Sequence, residues 1–313
     1  MENKKLRIKA ETDSLVIGGL SISFERTLRI PDDDQVYPLP PSLGSFFIYK
    51  VEDYLDKVPE KWRELGGYFI GMYQREALWL NFSGSPHALI VDAGNINAIT
   101  GNEKEDLLND ADQNYIVPPD QPWLDGFNAG EGFIRQFVAM PIGLGYTVEE
   151  QLSQTEALGG MRFVVFAPKP DIIPEYSPLL KSSVMECSLN DSMGLAAGGK
   201  MKQEIYPDEY GIDVWDSESK TEIYIHVANS QQFSEITGRN LMPSPVDADA
   251  YTNNGYPWFD LYNENKGDVK AAQKLSGVKS IKAVDEELGE ISNEPSLNIP
   301  DSQIVTITGK KKV

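Results

Sequence analysis

Residues 68–101 read YFIGMYQREALWLNFSGSPHALIVDAGNINAITG, a stretch in which short apolar runs alternate with turns that contain glycine or proline. Four of these runs have the length and the aromatic or β-branched content of strands. They are Tyr68–Tyr73, Ala77–Phe82, Ala88–Asp92 and Asn95–Thr100. Glycine and proline between the runs interrupt regular structure and favour tight turns. This block predicts a fold that is built mainly from β-strands.

The same pattern extends on both sides of this block. Leu20, Ile22 and Phe24 alternate with small polar residues, which is the period-two pattern of a half-buried strand. Further strands are predicted at Phe46–Val51, Gly132–Met140, Met161–Ala167, Lys200–Tyr206, Tyr210–Trp215, Thr221–Val227 and Gln303–Thr308. Helices are predicted within Val51–Leu65, after the capping box that begins at Thr147, at Gln231–Ile236 and at Pro245–Thr252. The predicted fold class is α+β and β-rich.

Three landmarks in the first half of the chain recur in the same order in the second half. The matched positions are Trp79 with Trp215, Ile99-Thr100-Gly101 with Ile236-Thr237-Gly238, and Pro122-Trp123 with Pro257-Trp258. Their offsets are 136, 137 and 135 residues, and agreement this close is hard to obtain by chance. The pattern predicts an internal duplication that produces two related modules, in which residues 77–135 superpose on residues 213–270.

Composition shifts divide the chain into five predicted parts. The four prolines of residues 168–178 mark the best candidate for a linker, and the chain beyond about residue 283 is acidic and poor in aromatic residues. The predicted parts are an N-terminal arm (1–14), a first β-rich module (15–167), a proline-rich linker (168–182), a second, related module (183–282) and a partly disordered acidic tail (283–313).

The repeated Pro-Trp loops hold the residues with the best claim to a ligand site. These residues are Trp123, Asp125, Asn128, Trp258, Asp260 and Asn263. Tryptophan, aspartate and asparagine in one loop can grip a sugar, by stacking and by paired hydrogen bonds. The structural interpretation has more weight, because buried indoles and turn-forming aspartates are common in protein cores. It predicts that both indoles are mostly buried and that both aspartates accept hydrogen bonds from backbone amides.

Several long segments resemble a family of uncharacterised soluble microbial proteins. The segments are Tyr73–Trp79, Asn97–Gly101, Gln121–Phe127, Ile134–Met140, Gly145–Gln151, Met193–Gly199 and Pro257–Tyr262. The likeness covers most of residues 15–282 and implies kinship without an activity, a cofactor or a catalytic residue. Some members carry a label that implies an integral membrane protein, whereas no apolar run here reaches the roughly 18–20 residues of a membrane helix.

Charge and cysteine content exclude several classes of partner. The 28 lysines and arginines against 48 aspartates and glutamates give a formal net charge of −20. So acidic a surface repels phosphate backbones, so nucleic-acid binding is not expected, and it opposes docking on anionic lipid. Membrane insertion is not expected because no apolar run reaches the length of a membrane helix. The single cysteine, Cys187, has no partner within the chain for a disulfide, which fits a cytoplasmic location.

The residue types of common catalytic sites are sparse. His87 and His226 lie in no recognisable motif, and Cys187 has no histidine near it in the sequence. Residues 194–200 match the spacing of a phosphate-binding loop, but Met201 stands where serine or threonine must hold magnesium. The acidic clusters lack the glycine and glutamate positions of a calcium loop. No catalytic, metal-binding or cofactor-binding residue is therefore predicted.

Two classes of function stay open at this point. The favoured one is a non-catalytic binding or assembly protein, which self-associates or holds a small polar ligand. The alternative is a carbohydrate-acting enzyme or a lectin-like sugar-binding protein that uses the repeated aromatic loops. A concave pocket with facing carboxylates favours the enzyme, and an apolar contact surface between identical chains favours assembly.

Overall fold

The computed structural model of the chain describes residues 5–33, 35–130, 132–172, 193–241, 243, 247–262, 267–290 and 296–308. Cys187, Asn263 and most of the predicted linker lie outside the described residues.

Strands make up most of the regular structure, as the sequence predicts. They are β1 (Ile8–Ala10), β2 (Ser14–Ile17), β3 (Leu20–Thr27), β4 (Val36–Tyr37), β5 (Ser42–Ser45), β6 (Tyr49–Lys50), β7 (Tyr68–Gly71), β8 (Ala77–Gly84), β9 (Ala88–Ala93), β10 (Ile96–Asn97), β11 (Trp123–Leu124), β12 (Gly126–Gly130), β13 (Phe133–Pro141), β14 (Met161–Phe166), β15 (Met193–Lys202), β16 (Thr221–Ala228), β17 (Trp258–Tyr262) and β18 (Ile304–Thr308). The α-helices are α1 (Glu60–Leu65), α2 (Val148–Leu152), α3 (Ser230–Thr237), α4 (Ala248–Asn253), α5 (Gln273–Ser276) and α6 (Ile281–Leu288). Short 3₁₀ turns lie at Val51–Tyr54, Ile212–Val214, Ser217–Ser219 and Asp301–Gln303.

Most strands belong to one large, mainly antiparallel sheet. Its main path runs β1-β2-β3-β8-β13-β15-β16-β14-β9-β10, and β7 adds to β16 in parallel. β17 and β18 form a separate parallel pair. The sheet curls around its core, since Phe24 of β3 stacks on Phe163 of β14 with ring centroids 5.8 Å apart although five steps of the path separate the strands. The β-rich class is thereby confirmed.

The two predicted modules share this sheet. β15 and β16, which follow the predicted linker, lie between β13 and β14, which precede it. Met193 to Lys202 pair along β13, and Thr221 to Ile225 pair along β14. The segments before and after the linker therefore build one continuous core.

The landmarks of the predicted duplication do not occupy equivalent places. Trp79 lies in the middle of β8, whereas Trp215 follows a 3₁₀ turn. Ile99-Thr100-Gly101 forms a turn, whereas Ile236-Thr237-Gly238 is the end of helix α3. Trp123 pairs with β8 in the large sheet, and Trp258 belongs to the separate pair of β17 and β18. Because residues 77–135 and 213–270 differ in strand order, the structure does not show a duplication.

The residues that match a phosphate-loop spacing form an extended strand instead. β15 runs through residues 194–200, and its glycines let neighbouring chain segments approach closely. A Cβ on Gly199 would lie 2.3 Å from the carbonyl oxygen of Pro31, and one on Gly198 would lie 2.6 Å from a methyl of Val138. These glycines therefore serve packing in the sheet.

Part of the predicted acidic tail is fastened to the sheet. Asp285 of helix α6 is buried, and its carboxylate accepts two hydrogen bonds from the Arg75 guanidinium at 2.9 and 2.6 Å and one from the Tyr146 hydroxyl at 2.6 Å. The Arg75 guanidinium beside it lowers the pKa of Asp285, although burial acts in the opposite direction.

Candidate functional site

The first of the two predicted ligand loops is engaged inside the fold. Trp123 is half-buried and packs edge-to-face on Trp79, with ring centroids 6.1 Å apart. Asp125 is buried and exchanges two hydrogen bonds with the side-chain amide of Gln203, at 2.7 and 3.0 Å. The Asn128 amide donates to the carbonyls of Ile99 and Lys270, both at 2.9 Å. The partner of Asp125 is thus a side-chain amide, where the sequence predicted a backbone amide.

The second loop differs from the first. Trp258 is fully buried, as predicted, and packs edge-to-face on Tyr251 at 6.1 Å. Asp260 is partly exposed and forms an ion pair with Lys202 at 3.6 Å, and among the described residues no backbone amide donates to it. Asn263 lies outside the described residues. The groups that were expected to grip a sugar are thus used largely in contacts within the protein.

Both histidines are buried and hydrogen-bonded to backbone carbonyls. His87 Nδ1 lies 2.9 Å from the carbonyl oxygen of Ser85, and His226 Nε2 lies 2.9 Å from that of Gly66. Burial lowers the pKa of His87 and lowers that of His226 to about 4. A catalytic triad instead needs a histidine between a nucleophile and a carboxylate.

His226 lines a cavity of about 310 Å³ between helix α1, strand β16 and the loop of residues 156–160. Its ring stacks on the indole of Trp62, with centroids 4.6 Å apart and the planes within 13° of each other. The rest of the lining mixes polar and apolar groups, and its apolar side chains include Ile142, Leu158, Met193 and Val227. A concave space in which a few polar groups stand among apolar side chains is the usual form of a small-molecule site.

The sequence around helix α1 explains how Trp62 comes to lie against His226. The helix begins after Pro59 and ends at Gly66, whose positive φ of 64° suits glycine and whose N–H donates to the carbonyl of Trp62. Gly67 follows, where a Cβ would lie only 2.2 Å from the carbonyl oxygen of Tyr224. The two glycines therefore let β7 lie against β16, which brings the Gly66 carbonyl to His226.

A buried carboxylate fixes the part of the cavity wall that residues 158–159 form. Glu149 of helix α2 accepts hydrogen bonds from the backbone N–H groups of Asn95, Leu158 and Gly159, at 2.8, 2.9 and 2.9 Å. Burial raises the pKa of Glu149, while these N–H groups act to lower it. Gly94 leaves room for the carboxylate, since a Cβ there would lie 2.0 Å from it. The wall at residues 158–159 is therefore fixed by backbone hydrogen bonds.

One cation and one carboxylate mark the rim. Lys61 Nζ donates to the carbonyl of Ala157 at 2.9 Å and lies 3.4 Å from the carboxylate of Glu156. The Lys61 side chain is about one-third exposed and that of Glu156 almost fully exposed. This ion pair is solvated, so the rim adds little net charge to the cavity.

No family model, curated protein or solved structure matches this chain. Kinship with the family that the segments resemble therefore stays a prediction. Within the described ranges, no helix has both the length and the apolar character needed to cross a membrane. The same part of the chain contains no group of three His, Cys, Asp or Glu side chains that could hold a metal ion.

Sequence reasoning missed the cavity, although one signal for it was present. Trp62 follows Pro59 by three residues and precedes a Gly-Gly pair, which is a compact helical segment with one large apolar side chain. Its partner His226 lies 164 positions further on in a strand of ordinary composition. The pairing of the two depends on the parallel register of β7 with β16, which local pattern does not encode.

Proposed function

We propose that this protein is a non-catalytic binding protein that holds a small molecule in the cavity beside His226. The observation that carries the proposal is the stacked pair of Trp62 and His226 in the wall of a space of about 310 Å³. This volume is at the lower end of the range for small-molecule sites. Walls fixed in advance limit the entropy that binding must overcome.

The surroundings of the imidazole favour binding over catalysis. Its Nε2 is engaged by a main-chain carbonyl, and its face is covered by Trp62. A general base needs a proton to abstract and a pKa near the working pH, whereas the pKa of His226 lies at about 4. The group is suited to be a fixed hydrogen-bonding partner.

The proposal is tested by filling the cavity. Ala157 is half-buried in the rim, so Ala157→Trp places an indole in the opening. Ligand-observed NMR with phenol, indole, benzoate and methyl α-glucoside should detect binding of at least one probe to the wild type, and Ala157→Trp should abolish it. Ala111→Trp, at an exposed turn position, is the matched control and should bind like the wild type.

Two results would contradict the proposal. One is that none of the four probes binds the wild type at millimolar concentration. The other is binding that persists undiminished in Ala157→Trp. If methyl α-glucoside is the one probe that binds, and its binding is unchanged in Ala157→Trp, the lectin-like alternative with a site near Trp123 gains support instead.

A specific feature also supports self-association as a second candidate. Strand β18 pairs with β17 and with no other strand that the structure describes. It has no charged residue, in a chain of net charge −20, and Val305 in it is 46% exposed. An uncharged, β-branched edge strand readily pairs with a second copy, because its backbone groups lack partners on one side.

Sedimentation velocity tests this second candidate. The wild type should sediment as a dimer at micromolar concentration, and Val305→Lys should shift it to the monomer, because a charge on the edge opposes pairing. Val36→Lys, at an equally exposed valine of strand β4, is the matched control and should leave the dimer intact. A monomeric wild type would refute self-association.

Composition also supports our proposal for the cellular setting and the partners. The single cysteine supports a cytoplasmic location, and the net charge of −20 argues against nucleic-acid partners.

A further inference from the structure

The hydrogen bond to Gly66 determines which nitrogen of His226 carries the proton. A carbonyl oxygen can only accept, so the Nε2 that lies 2.9 Å from it must carry the hydrogen. In the neutral imidazole the other nitrogen, Nδ1, is then an acceptor with a free lone pair. The imidazole of His226 therefore has Nδ1 as its hydrogen-bond acceptor, because the Gly66 carbonyl fixes the proton on Nε2.

This acceptor character persists at neutral pH. Burial lowers the pKa of His226 to about 4, so the ring stays uncharged well below the pH at which an ordinary histidine gains a proton. Two ion pairs lie on the elements around the ring: Lys61 pairs with Glu156 on the rim, and Glu222 of β16 pairs with Arg162.

The surroundings of the ring select the shape of a ligand. Trp62 covers a face of the imidazole at 4.6 Å, and Tyr224 runs parallel to it at 6.4 Å. Because Trp62 covers that face, the polar contact that the ring can still offer a ligand is at its edge, where the nitrogens are. Met193 also lines the cavity, and the thioether of methionine makes favourable contacts with aromatic rings.

We propose that the cavity selects small aromatic molecules that carry an O–H or N–H group, which donates a hydrogen bond to Nδ1 of His226. This inference rests on the proposed binding function and adds the chemical class of the ligand. An aromatic molecule without a donor would bury the lone pair of Nδ1 unsatisfied, which costs affinity. The cavity thereby discriminates between molecules of the same shape.

The test compares two bicyclic rings of nearly the same shape. Indole carries an N–H donor, and benzofuran has an oxygen in its place. We expect indole to bind the wild type about tenfold more tightly than benzofuran, because one satisfied hydrogen bond is worth roughly 1.4 kcal/mol. In His226→Phe, which keeps a flat ring beside Trp62 but removes the acceptor, the two probes should bind equally.

Tyr224→Phe is the matched control, since it keeps the neighbouring ring and changes a group outside the cavity lining. It should retain the preference for indole. A ¹⁵N NMR measurement on the wild type adds a readout that needs no substitution. The chain has two histidines, and the unprotonated Nδ1 resonance of one of them should move on addition of indole and stay in place with benzofuran.

The outcomes separate this inference from the proposed function. Equal binding of indole and benzofuran to the wild type, abolished by Ala157→Trp, overturns the donor selection and leaves the binding function standing. A preference that survives in His226→Phe, or an Nδ1 resonance that indole does not move, also overturns the selection. Failure of both probes to bind removes this inference, and failure of every probe removes the binding function as well.

Discussion

Trp258 contributes to stability through its buried area. It is fully buried in the main core, and its indole N–H has no hydrogen-bond partner among the described residues. We expect Trp258→Ala to lower the free energy of unfolding by about 3–5 kcal/mol, the usual cost of removing a core aromatic side chain. Trp258→Phe should cost clearly less, because the lost N–H made no bond. Chemical denaturation followed by circular dichroism measures both.

Trp123→Ala serves as the comparison, since this indole is only half-buried. It should cost less than Trp258→Ala. An equal loss at the two positions would show that burial does not set the contribution of these indoles.

Asp125 makes stability depend on pH. Burial raises its pKa to about 7 from the ordinary value of 3.8, so the folded state binds this proton more tightly than the unfolded state. The buried charge therefore destabilises the fold progressively as the pH rises from about 4 to about 7. We expect Asp125→Asn to be more stable than the wild type by about 2–4 kcal/mol at pH 8, with the difference vanishing near pH 4.

Denaturation midpoints of the two proteins at a series of pH values measure this difference. Asp56→Asn, at an exposed aspartate, should follow the wild type throughout. A difference between Asp125→Asn and the wild type that does not change with pH would contradict the assigned cause.

Single residues could be predicted from sequence only where their own chemistry decides their place. The burial of Trp258 follows from its size and apolar character. The partner of Asp125 could not be foreseen, because Gln203 lies at the end of β15, 78 positions further on. The same limit hid the stacking of Trp62 on His226.

Helix α6 is held to the sheet by the buried carboxylate of Asp285 together with the apolar side chains of Ile281 and Val284. Asp285 accepts three hydrogen bonds from Arg75 and Tyr146, whereas Glu287 on the same helix is exposed. We expect Asp285→Ala to cost about 2–3 kcal/mol, as for hydrogen bonds to charged groups. Amide exchange at residues 281–288 should speed up at least tenfold, because the helix detaches locally. Glu287→Ala should leave exchange unchanged, and similar rates in the two variants would contradict this role.

Elements were predictable where apolar residues alternate, and not where glycine replaces them. The strands at 77–84, 88–93 and 161–166 follow from periodicity and β-branched content. β15 begins seven residues before its predicted start, since Gly194, Gly198 and Gly199 have no side chain to show a pattern. Residues 210–215 were predicted as a strand, but Ile212–Val214 form a 3₁₀ turn, and the indole N–H of Trp215 after it donates to Asp208 at 2.8 Å.

The molecule as a whole should unfold as one unit. β15 and β16 share backbone hydrogen bonds with β13 and β14 across the predicted linker, and most buried apolar side chains form a common core. We therefore expect one cooperative thermal transition, with far-ultraviolet circular dichroism and tryptophan fluorescence coincident. Two separate transitions in a calorimetric scan would show that the halves are independent.

The overall arrangement was the part least accessible to sequence. Matching Ile-Thr-Gly and Pro-Trp motifs predicted two equivalent modules, yet Thr100 lies in a turn and Thr237 at the end of a helix. Short motifs indicate local backbone conformation, such as the positive φ that Gly101 and Gly238 share. They do not report strand order, which depends on pairings between residues far apart in the chain.

The interleaving of late strands between early ones has a consequence for biosynthesis. A nascent chain that has emerged as far as residue 172 contains β13 and β14, each with one long edge that awaits β15 or β16. The ribosome must therefore deliver about 56 more residues, to Ala228, before these edges close. Until then the unpaired strand edges are exposed and can pair with those of other chains, which leads to aggregation. We expect a fragment of residues 1–172, made alone, to collect in the insoluble fraction, whereas the full chain stays in solution.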